Sequence, residues 1–467
     1  MRPVAIVGGG IIGLCTAFAL HRRGVPVTVL DAGPTERAAS HVNAGWIVPT
    51  LAAPVPSPGL IATSLRWMLR SDSPLYIRPR FDPAFLRWTF RFWRHCNARD
   101  FLAGTEAIAA FGARSLALYD AMREAGVRYE EHRDGLLFAY RTTEALQHDY
   151  AALEPVRRFG FEISPITSGD ELRALEPSLS EKVSGGYWLP QERSVRPDTL
   201  VRGLIDYLQE RGVEVRRDAP VSDIETNGNK ATGVVAGGQR IPAETIVVAA
   251  GAWTPRLLKP LRVRVPIEAG KGYSIDLAPA PDLPEPVRRP LYLHETRVAI
   301  TPLEGMIRLA GTMELSGLNH DVRQERVAAI ARSAAWAIRG WPEQTPTSGP
   351  GVRIWNGPRP MTPDGLPVIG RLPGYRNLIV ASGHAMLGVT LAPATGDAVA
   401  ELITSGRAPD AIAPFDPARF TRGWRGGGVA GWRGDRGREL SIESQKRGRS
   451  KPRPDLPATP SNPSSPP

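Results

Sequence analysis

Two short apolar runs with a helix-like stretch between them open the chain. The runs, Val4–Val7 and Val27–Leu30, have the length and the β-branched composition of buried strands. A glycine-rich turn over residues 8–13 separates the first run from the helix-like stretch, which carries mostly small and apolar residues. A strand, a helix and a second strand in this order predict a β–α–β unit with parallel strands.

Two further buried strands are predicted late in the chain. Residues 246–250 and 378–381 are short apolar runs, and each is followed by a turn that contains glycine, at Gly251 and Gly383. The rest of the pattern predicts helices over 60–111, 116–125, 196–211, 324–336 and 393–403, strands over 136–140 and 213–215, alternating strand segments over 263–313, and a small antiparallel sheet over 221–224, 232–236 and 239–241.

This order of elements predicts how the chain is divided. A β–α–β start whose strand pattern returns late in the chain indicates an α/β fold. We expect a Rossmann-like domain assembled from separated segments, with an α+β substrate domain inserted between them. The segments assigned to the first domain are 1–48, 195–262 and 352–410, those of the substrate domain are 49–194 and 263–351, and residues 411–467 form a Gly-, Pro- and Arg-rich tail.

The turn after the first strand fits the pattern G-x-G-x-x-G through Gly8, Gly10 and Gly13. The first glycine permits the tight turn, the second lets the backbone approach a pyrophosphate, and the third lets the helix pack close to the strand. The second strand ends in Asp31, at the distance along the chain expected of an acid that binds a ribose hydroxyl. A glycine-rich turn without a ligand would leave Asp31 unexplained, so we expect a nucleotide.

The composition restricts the class of protein and the part of the chain that can fold. The chain has 467 residues, of which 42% are hydrophobic, and carries a net charge of +11. Residues 419–467 hold eleven basic and four acidic residues and so account for +7 of that charge. We expect this tail to be disordered and expect truncation after about residue 412 to be harmless. The two cysteines, Cys15 and Cys96, are too few for a disulfide framework or a metal cluster. The pattern shows neither a signal peptide nor an apolar run long enough to span a membrane, so we expect a cytoplasmic protein.

Several segments together resemble a known group of enzymes. Residues 8–13 and 40–45, Gly-Gly-Gly-Ile-Ile-Gly and Ser-His-Val-Asn-Ala-Gly, are similar to the FAD-dependent D-amino-acid oxidase superfamily. The segments 248–254, 359–367 and 383–390 extend the likeness. The resemblance is closest to the bacterial D-amino-acid dehydrogenase branch, with glycine oxidase and hydroxyproline dehydrogenases nearby.

The resemblance covers residues 1 to about 407, and residues 65–79 look like the dehydrogenase branch in particular. It implies that the loop 40–45 lies along the FAD pyrophosphate and ribityl chain and that the turn 383–388 holds the flavin pyrimidine. An ordinary polar loop is the alternative at 40–45. The implied FAD-binding residues are Gly8, Gly10, Ile11, Ile12, Gly13, Asp31, Ser40, Asn43, Ala44, Gly45, Val221, Gly251, Trp253, Gly383, Met386, Leu387, Gly388 and Thr390.

The resemblance also implies residues for the substrate. The arginine of the family's Arg-Pro motif binds the substrate carboxylate, which assigns this role to Arg359, with a structural salt bridge as the alternative. The hydroxyl of Tyr273 could bind the same carboxylate, or the ring could belong to the core. Met313 would form a pocket wall. His384 is either a general base or, in the preferred interpretation, packs against or forms a hydrogen bond with the flavin. Arg308 is either a second arginine for the carboxylate or, in the preferred interpretation, a charge on the strand surface.

Three departures from the family pattern limit the substrate and the flavin linkage. Glycine oxidase has an arginine where this chain has Met386, and its pocket tyrosine is replaced by a small residue near Val298 or Ala299. Glycine is therefore not the expected substrate. Relatives with covalent flavin use a histidine at the position of Asn43 or a cysteine near Met313, so we expect non-covalent FAD.

The resemblance thus implies FAD-dependent oxidative deamination of an amino acid, in the preferred interpretation a D-amino acid, to a 2-oxo acid. The alternative within the class is a secondary amine such as D-proline, hydroxyproline or sarcosine. A nucleotide-binding protein tethered to nucleic acid by its basic tail is the alternative of another class. The electron acceptor is a quinone or oxygen.

One helix carries three arginines on a single face, Arg87, Arg91 and Arg94, and aromatic residues on its other faces. Such a helix suits either a membrane surface or, in the preferred interpretation, a substrate domain whose core takes up the aromatic side chains.

Overall fold

A six-stranded sheet holds the glycine motif at the end of one of its central strands. The computed structural model of the chain describes residues 3–33, 38–62, 64, 73–278 and 281–421. The first five strands of this sheet run parallel and the sixth is antiparallel to its neighbour. In spatial order they are Glu214–Arg216, Val27–Leu30, Val4–Val7, Thr245–Val248, Leu378–Ser382 and Val368–Arg371.

These strands come from the beginning, the middle and the end of the chain, as the sequence predicts. The Rossmann-like fold assembled from separated segments is therefore confirmed. Val4–Val7 and Thr245–Val248 are almost fully buried because both faces of the sheet are covered. One face packs against the helices Ile11–Arg22, Pro197–Glu210 and Gly388–Ser405, and the other packs mainly against a small antiparallel sheet over residues 221–242. That burial explains why their sequences are uninterrupted apolar runs.

A nine-stranded, mostly antiparallel sheet forms the second large layer. The long strand Glu268–Leu277 lies between Val352–Met361 and Met306–Leu315. The domain boundary predicted at residue 352 falls before a strand of this sheet, and we propose that the boundary lies after Met361. The remaining strands are Val298–Leu303, Leu291–Leu293, Leu136–Tyr140, Gly185–Leu189, Thr167–Ser168 and, beside Met306–Leu315, Leu75–Ile77.

Two small sheets complete the β structure. One is the predicted antiparallel sheet, and the other joins the two residues that follow segment 40–45 to later parts of the chain. The strands of the first are Val221–Asn227, Lys230–Ala236 and Gln239–Pro242, and those of the second are Trp46–Ile47, Arg193–Val195 and Glu131–His132.

The helices predicted over 116–125, 196–211 and 324–336 are observed, and the one predicted over 393–403 begins earlier, at Gly388. Over 60–111 the strand Leu75–Ile77 interrupts the predicted helical region. The short helices between residues 143 and 175 and the helix Thr254–Leu258 are not predicted by the sequence pattern. Residues 65–72, part of the segment that resembles the dehydrogenase branch, lie outside the described residues. The α-helices are Ile11–Arg22, Pro83–His95, Ala98–Gly112, Ser115–Glu124, Thr143–Ala151, Glu154–Arg157, Gly169–Leu175, Pro197–Glu210, Thr254–Leu258, Gln324–Ala337 and Gly388–Ser405, and 3₁₀ turns occur at Gly251–Trp253, Asp410–Phe415 and Pro417–Phe420.

The first and the last long helices pack closely against each other. A Cβ atom at Gly396 would lie 2.4 Å from the carbonyl oxygen of Cys15, so only glycine permits this approach. The thiol of Cys15 is buried in the same contact. The helix that follows the glycine motif is thereby fixed by a segment almost 400 residues later in the chain.

One helical segment, Ala98–Glu124, has the length and apolar composition of a membrane-spanning helix. It is divided into two helices, and its Ile108, Tyr119 and Met122 are buried in the core. The hydroxyl of Tyr119 donates a hydrogen bond to the carbonyl oxygen of Val389 at 2.7 Å. These are the contacts of a core helix.

The prediction that the disordered tail begins at residue 411 is wrong for its first eleven residues. Phe415 is fully buried and packs edge-on against Phe111 at a centroid distance of 5.1 Å. Arg419 binds the carboxylate of Asp364, with a distance of 2.7 Å between Nε and Oδ2. We therefore expect truncation to be tolerated after residue 421 but not after residue 412. The remaining tail, 422–467, lies outside the described residues.

Candidate active site

A cleft of about 480 Å³ opens at the carboxyl ends of the parallel strands. This is the edge where ligands bind in open α/β sheets, and the volume lies in the range typical of small-molecule sites. Residues from all three segments of the parallel sheet line it. The predicted site residues among them are Gly8, Gly10, Ile11, Ile12, Asp31, Ser40, Asn43, Val221, Gly251, Trp253, Arg359, His384, Met386 and Gly388.

The glycine turn forms a backbone cradle at one end of this cleft. Gly8 has a φ of +116°, and a Cβ there would lie 2.4 Å from the carbonyl oxygen of Ala249. A Cβ at Gly13 would lie 1.9 Å from the carbonyl oxygen of Gly8, so the helix could not start where it does. Gly13 therefore packs the helix and does not line the cleft. The free N–H groups of this helix start suit the pyrophosphate of a dinucleotide.

The carboxylate of Asp31 is fixed beside this cradle. Its Oδ2 accepts a hydrogen bond from the N–H of Gly9 at 2.6 Å, and its Oδ1 accepts one from the N–H of Gly33 at 2.9 Å. Both oxygens keep further lone pairs for hydroxyl donors. The fixed acid at the end of the second strand fits a ribose that carries free hydroxyls, as FAD does.

The loop 38–45 closes the cradle from the other side. The hydroxyl of Ser40 accepts a hydrogen bond from the N–H of Ile11 at 3.0 Å. The side chain of Asn43 donates to the carbonyl of Ala39 and accepts from the N–H of Gly45, so it holds the loop in shape. Gly45 has a φ of +75° and faces the Val195 carbonyl oxygen, which a Cβ would approach to 2.1 Å. Gly45 and Ala44 thus support the loop without lining the cleft.

Arg308 holds this loop from below, and the interpretation of it as a strand-surface charge is wrong. Its side chain is buried and forms a bidentate ion pair with Asp276, with N–O distances of 2.6 and 2.9 Å. Its remaining guanidinium nitrogen donates to the carbonyl oxygen of Asn43 at 3.0 Å. A planar fork of donors lets one arginine satisfy both partners. Arg308 is therefore a positioning residue for the loop.

The turn 383–388 brings His384 into the cleft wall. The imidazole is buried, and its Nε2 shares a hydrogen bond with the hydroxyl of Thr395 at 2.9 Å. Burial lowers the pKa of His384 to about 3, so the ring is neutral near pH 7. Its Nδ1 has no partner among the described residues. These contacts fit the preferred interpretation, in which the ring contacts a bound group.

Three further residues of this turn shape it without lining the cleft. Gly383 has a φ of +77°, and the N–H of Leu387 donates to the carbonyl of His384. The hydroxyl of Thr390 accepts a hydrogen bond from the N–H of Val48 at 3.0 Å. The turn ends at the start of the helix Gly388–Ser405, whose first N–H groups and positive dipole end face the cleft at Gly388.

Arg359 supplies the positive charge of the opposite end of the cleft. One guanidinium nitrogen donates to the carbonyl oxygen of Thr312 at 2.8 Å. The guanidinium lies over Gly272, where a Cβ would be 2.4 Å from it. Burial lowers the pKa of Arg359 to about 10, so it stays charged at pH 7. No carboxylate among the described residues lies within ion-pair distance of it, and a carboxylate ligand would complete its coordination.

Tyr273 does not belong to this site. Successive residues of a strand face opposite sides of the sheet, and Arg359 lies over the neighbouring Gly272. The ring of Tyr273 is buried on the other side, and its hydroxyl donates to Glu314 at 2.7 Å. Glu314 also forms an ion pair with the buried Lys271 at 3.0 Å. The interpretation of Tyr273 as a core residue holds, and its role in binding a carboxylate is not supported.

Met313 lies on the same sheet face as Arg359, at the edge of the site. Its side chain packs in an apolar cluster with Phe85, Trp88, Met361 and Ala385, and Ala385 lines the cleft. A Cβ at Gly270 would come within 2.6 Å of its sulfur atom, so a glycine makes room for it. Met313 does not itself line the cleft, so its role as a pocket wall stays a prediction.

Sequence reasoning missed Gly270, Gly272 and Thr312, the residues that position Arg359 and Met313. The Gly-Lys-Gly alternation within a strand is a signal for such a role, because a glycine in a strand interior indicates close approach of another group. No sequence pattern marks Thr312 as a residue that positions Arg359. His320 and Arg256 also line the cleft and were not singled out.

Comparisons with known proteins agree with this geometry. Residues 3–402 match the family described as FAD dependent oxidoreductase (DAO). A D-amino acid dehydrogenase of Xanthobacter autotrophicus is 34% identical over 419 residues, which cover 87% of this chain and 96% of that protein. A D-amino acid dehydrogenase of Rhizorhabdus wittichii is 33% identical over 413 residues, with coverage of 86% and 96%.

Solved structures share the fold. A glycine oxidase from Geobacillus kaustophilus superposes with a TM-score of 0.69 at 24% sequence identity, covering 90% of this chain and 99% of that one. An L-proline dehydrogenase from P. horikoshii superposes with a TM-score of 0.66 at 20% identity, covering 90% and 98%. At these identities the likeness concerns the architecture alone.

Proposed function

The chain belongs to the family of FAD-dependent oxidoreductases, and from this premise we propose that it oxidises D-amino acids at the α-carbon. The observation that carries the proposal is Arg359, a cation that lines the same cleft as the glycine turn and has no carboxylate partner among the described residues. A nucleic-acid-tethered nucleotide binder is not supported, because the family is one of redox enzymes.

The cleft residues fit FAD. The cradle of Gly8 and Gly10 would accommodate a pyrophosphate, Asp31 can accept hydrogen bonds from a ribose, and Ser40 and Asn43 line the same cleft. When bound, FAD supplies the hydride acceptor for the reaction. Neither a histidine at position 43 nor a cysteine near Met313 is present for a covalent link, which supports non-covalent binding.

The chain's own residues would bind and orient the substrate. Arg359 binds the substrate carboxylate through two parallel hydrogen bonds and so fixes the α-carbon relative to the cleft. Met313 and Met361 form the apolar wall on this side and exclude water from the carboxylate pair. His384, with its lowered pKa, stays neutral and does not act as a cationic acid near pH 7.

The experiment that tests this function is an anaerobic absorbance titration of the holoenzyme with D-, L- and N-alkyl amino acids. We expect D-amino acids to bleach the flavin band near neutral pH. Bleaching only by secondary amines such as D-proline, hydroxyproline or sarcosine would assign the alternative substrate class. A yellow protein that no amino acid reduces would overturn the assignment of substrate, and a protein that does not take up FAD would overturn the assignment of the cleft.

We further propose that a quinone accepts the electrons and that the helix Pro83–His95 contacts the inner face of a membrane, with the protein otherwise cytoplasmic. Phe85 and Trp88 are buried, as the core interpretation predicts, but three large apolar residues one face away are exposed. The exposed residues are Leu86, Phe90 and Trp93, and beside them lie Arg87, Arg91 and Arg94.

An apolar stripe flanked by arginines is the pattern of a helix that lies in the headgroup region of an anionic bilayer. The same helix packs against Met361 and Ala385 at the substrate end of the cleft. A membrane contact there would bring the flavin site close to a lipid-soluble acceptor. Slow reoxidation of the reduced enzyme by air, and fast reoxidation by a soluble quinone, are the expected results.

Vesicle co-sedimentation tests the surface itself. We expect binding to vesicles that contain phosphatidylglycerol, and loss of binding in the variant Phe90→Ser/Trp93→Ser. Ile166→Ser is the matched control, because Ile166 is an exposed apolar residue elsewhere. Equal binding by the double variant, or binding that is equal on phosphatidylcholine alone, would refute a basic, apolar docking helix.

A further inference from the structure

A second cavity, of about 240 Å³, lies between the helix Gln324–Ala337 and the large sheet. It shares no lining residue with the cofactor cleft. We call it the helix cavity, and the lining residues that matter for its chemistry are Arg141, Glu295, Thr296, Thr312, Arg332 and Trp336.

Three polar atoms of this lining are buried and have no hydrogen-bond partner among the described residues. They are Oε2 of Glu295, the hydroxyl oxygen of Thr296 and the indole nitrogen of Trp336. The side chain of Trp336 is 5% exposed. Buried polar groups of folded proteins are almost always paired, so three unpaired groups around one cavity indicate a polar occupant.

The charges around the helix cavity specify the kind of occupant. The guanidinium of Arg141 lies 4.4 Å above the ring of Trp336, and Arg332 lines the cavity as a second cation. The backbone N–H of Arg141 already donates to one oxygen of Glu295 at 2.7 Å, which leaves the other oxygen for a donor from the cavity. The site thus offers cations and neutral donors for an anion, together with one carboxylate for a cation.

We propose that the helix cavity binds a small amino acid in its zwitterionic form, as a site separate from the active site. The carboxylate of this ligand accepts hydrogen bonds from the indole N–H of Trp336 and the hydroxyl of Thr296, and its ammonium group donates to Glu295. The volume of 240 Å³ accommodates a small amino acid. The 2-oxo acid lacks the ammonium group and would leave the Glu295 oxygen unpaired.

Thr312 connects this cavity to the active site. It lines the helix cavity, and its carbonyl oxygen accepts the hydrogen bond from Arg359 at 2.8 Å. Its φ of +66° is a strained conformation for a β-branched residue, and such outliers mark functional positions. An occupant of the helix cavity that shifts this residue changes the position of the carboxylate-binding arginine. The two sites are then linked in affinity.

Fluorine NMR of the holoenzyme labelled with 5-fluorotryptophan tests the binding. Reduction with dithionite beforehand keeps the probe, D-alanine, from being consumed, so the result does not depend on the proposed reaction. The resonance of Trp336 is identified by its loss in Trp336→Phe. We expect D-alanine to shift it saturably in the wild type and in Arg359→Leu, and pyruvate to shift it far less.

The variant Glu295→Gln/Thr296→Val should lose the shift. Ser333→Ala should retain it, because the hydroxyl of Ser333 lines the same cavity but already donates to the carbonyl of Ala329. A resonance that D-alanine leaves in place, a shift that persists in the double variant, or one that disappears in Arg359→Leu would overturn the site. An equal response to pyruvate would overturn the recognition of the ammonium group.

Steady-state kinetics tests the link through Thr312. We expect the dependence of rate on D-alanine concentration to depart from a hyperbola in the wild type and to follow one in Glu295→Gln/Thr296→Val. The slope at low concentration should be the same in both, since only the active site is then occupied. A hyperbola in the wild type, over the range in which the Trp336 resonance saturates, would overturn the link.

Discussion

The nucleotide end and the substrate end of the cleft are positioned in different ways. At the nucleotide end, Gly8, Gly13 and Asp31 belong to one local β–α–β unit, and their roles depend on backbone shape. At the substrate end, Arg359 depends on Gly272 of the neighbouring strand and on Thr312 of the strand beyond it in the large sheet. Local backbone rules therefore govern the first end, and long-range packing of side chains governs the second.

This difference predicts different consequences of mutation. A change in the glycine turn alters the backbone and should remove the cofactor altogether. A change at the substrate end should leave the cofactor in place and alter only what reacts with it. The following experiments test that separation, in order of decreasing expected effect.

Gly8→Ala should give a protein without flavin. The new Cβ would lie 2.4 Å from the carbonyl oxygen of Ala249, and the φ of +116° is unfavourable for alanine. The flavin absorbance of the purified protein measures the effect. Gly228→Ala is the control, because that glycine also has a positive φ but no atom within 4 Å of the added Cβ. Full flavin content in Gly8→Ala would show that the cradle is not where the cofactor binds.

Arg359→Leu should retain flavin but lower kcat/KM roughly 10³-fold, mainly through KM, because removing one partner of a desolvated charge pair costs about 2–5 kcal/mol. Arg359→Lys should lose less, since it keeps the charge but not the fork of donors. The control is Arg353→Leu on the same strand, where the side chain is exposed. An unchanged KM in Arg359→Leu would remove the basis of the proposed function.

His384 should make the folded protein less stable at acidic pH. Its folded pKa of about 3 lies below the ordinary value of 6.5, so between these values only the unfolded chain binds the proton. Its contribution lowers the free energy of unfolding by about 1.4 kcal/mol per pH unit as the pH falls through this window, and has no effect above it. Denaturant titrations at several pH values measure this slope.

His384→Gln should reduce that slope. Thr395→Val removes the hydrogen-bond partner of the ring but keeps the histidine, so it should lose stability at every pH and retain the slope. If His384→Gln and the wild type lose stability in parallel on acidification, the imidazole is not the group that resists protonation in the folded state.

Tyr273→Phe should have the smallest effect on activity. The hydroxyl binds Glu314 on the sheet face opposite Arg359, so kcat/KM should stay close to the wild-type value. The free energy of unfolding should fall by about 1.5–3 kcal/mol, the contribution of one hydrogen bond to a charged group. Steady-state kinetics and denaturant unfolding of the same preparation give both values. A large rise in KM would show instead that the Tyr273 hydroxyl contributes to substrate binding.

The same contrast explains what could be predicted from the sequence. The strands Val4–Val7 and Thr245–Val248, and the roles of Gly8 and Asp31, follow from local patterns that recur wherever a backbone must approach a phosphate. Tyr273 and Arg308 could not be placed, because the sequence does not show which face of a strand meets the cleft or which acid lies across the sheet. Asp276, the partner of Arg308, lies 32 residues away, on a neighbouring strand.

The tail shows a related limit. Its low hydrophobicity predicts disorder, but Phe415 and Arg419 are single residues that each find a buried partner, Phe111 and Asp364. A composition average over the segment cannot detect two such anchors. The fold class was therefore predictable, the end of the folded chain was not, and the substrate end was predictable only where the resemblance supplied a motif.

The order of strands in the parallel sheet also bears on how the protein is made. Val4–Val7 pairs with Thr245–Val248, which in turn pairs with Leu378–Ser382. During synthesis the first β–α–β unit leaves the ribosome with an unpaired strand edge. The strand that pairs with this edge lies more than two hundred residues further along the chain and is synthesised later. Such an edge is a site for aggregation, and pairing over this distance is slow. Chains that stop before residue 378 should therefore be substrates for chaperones and proteases.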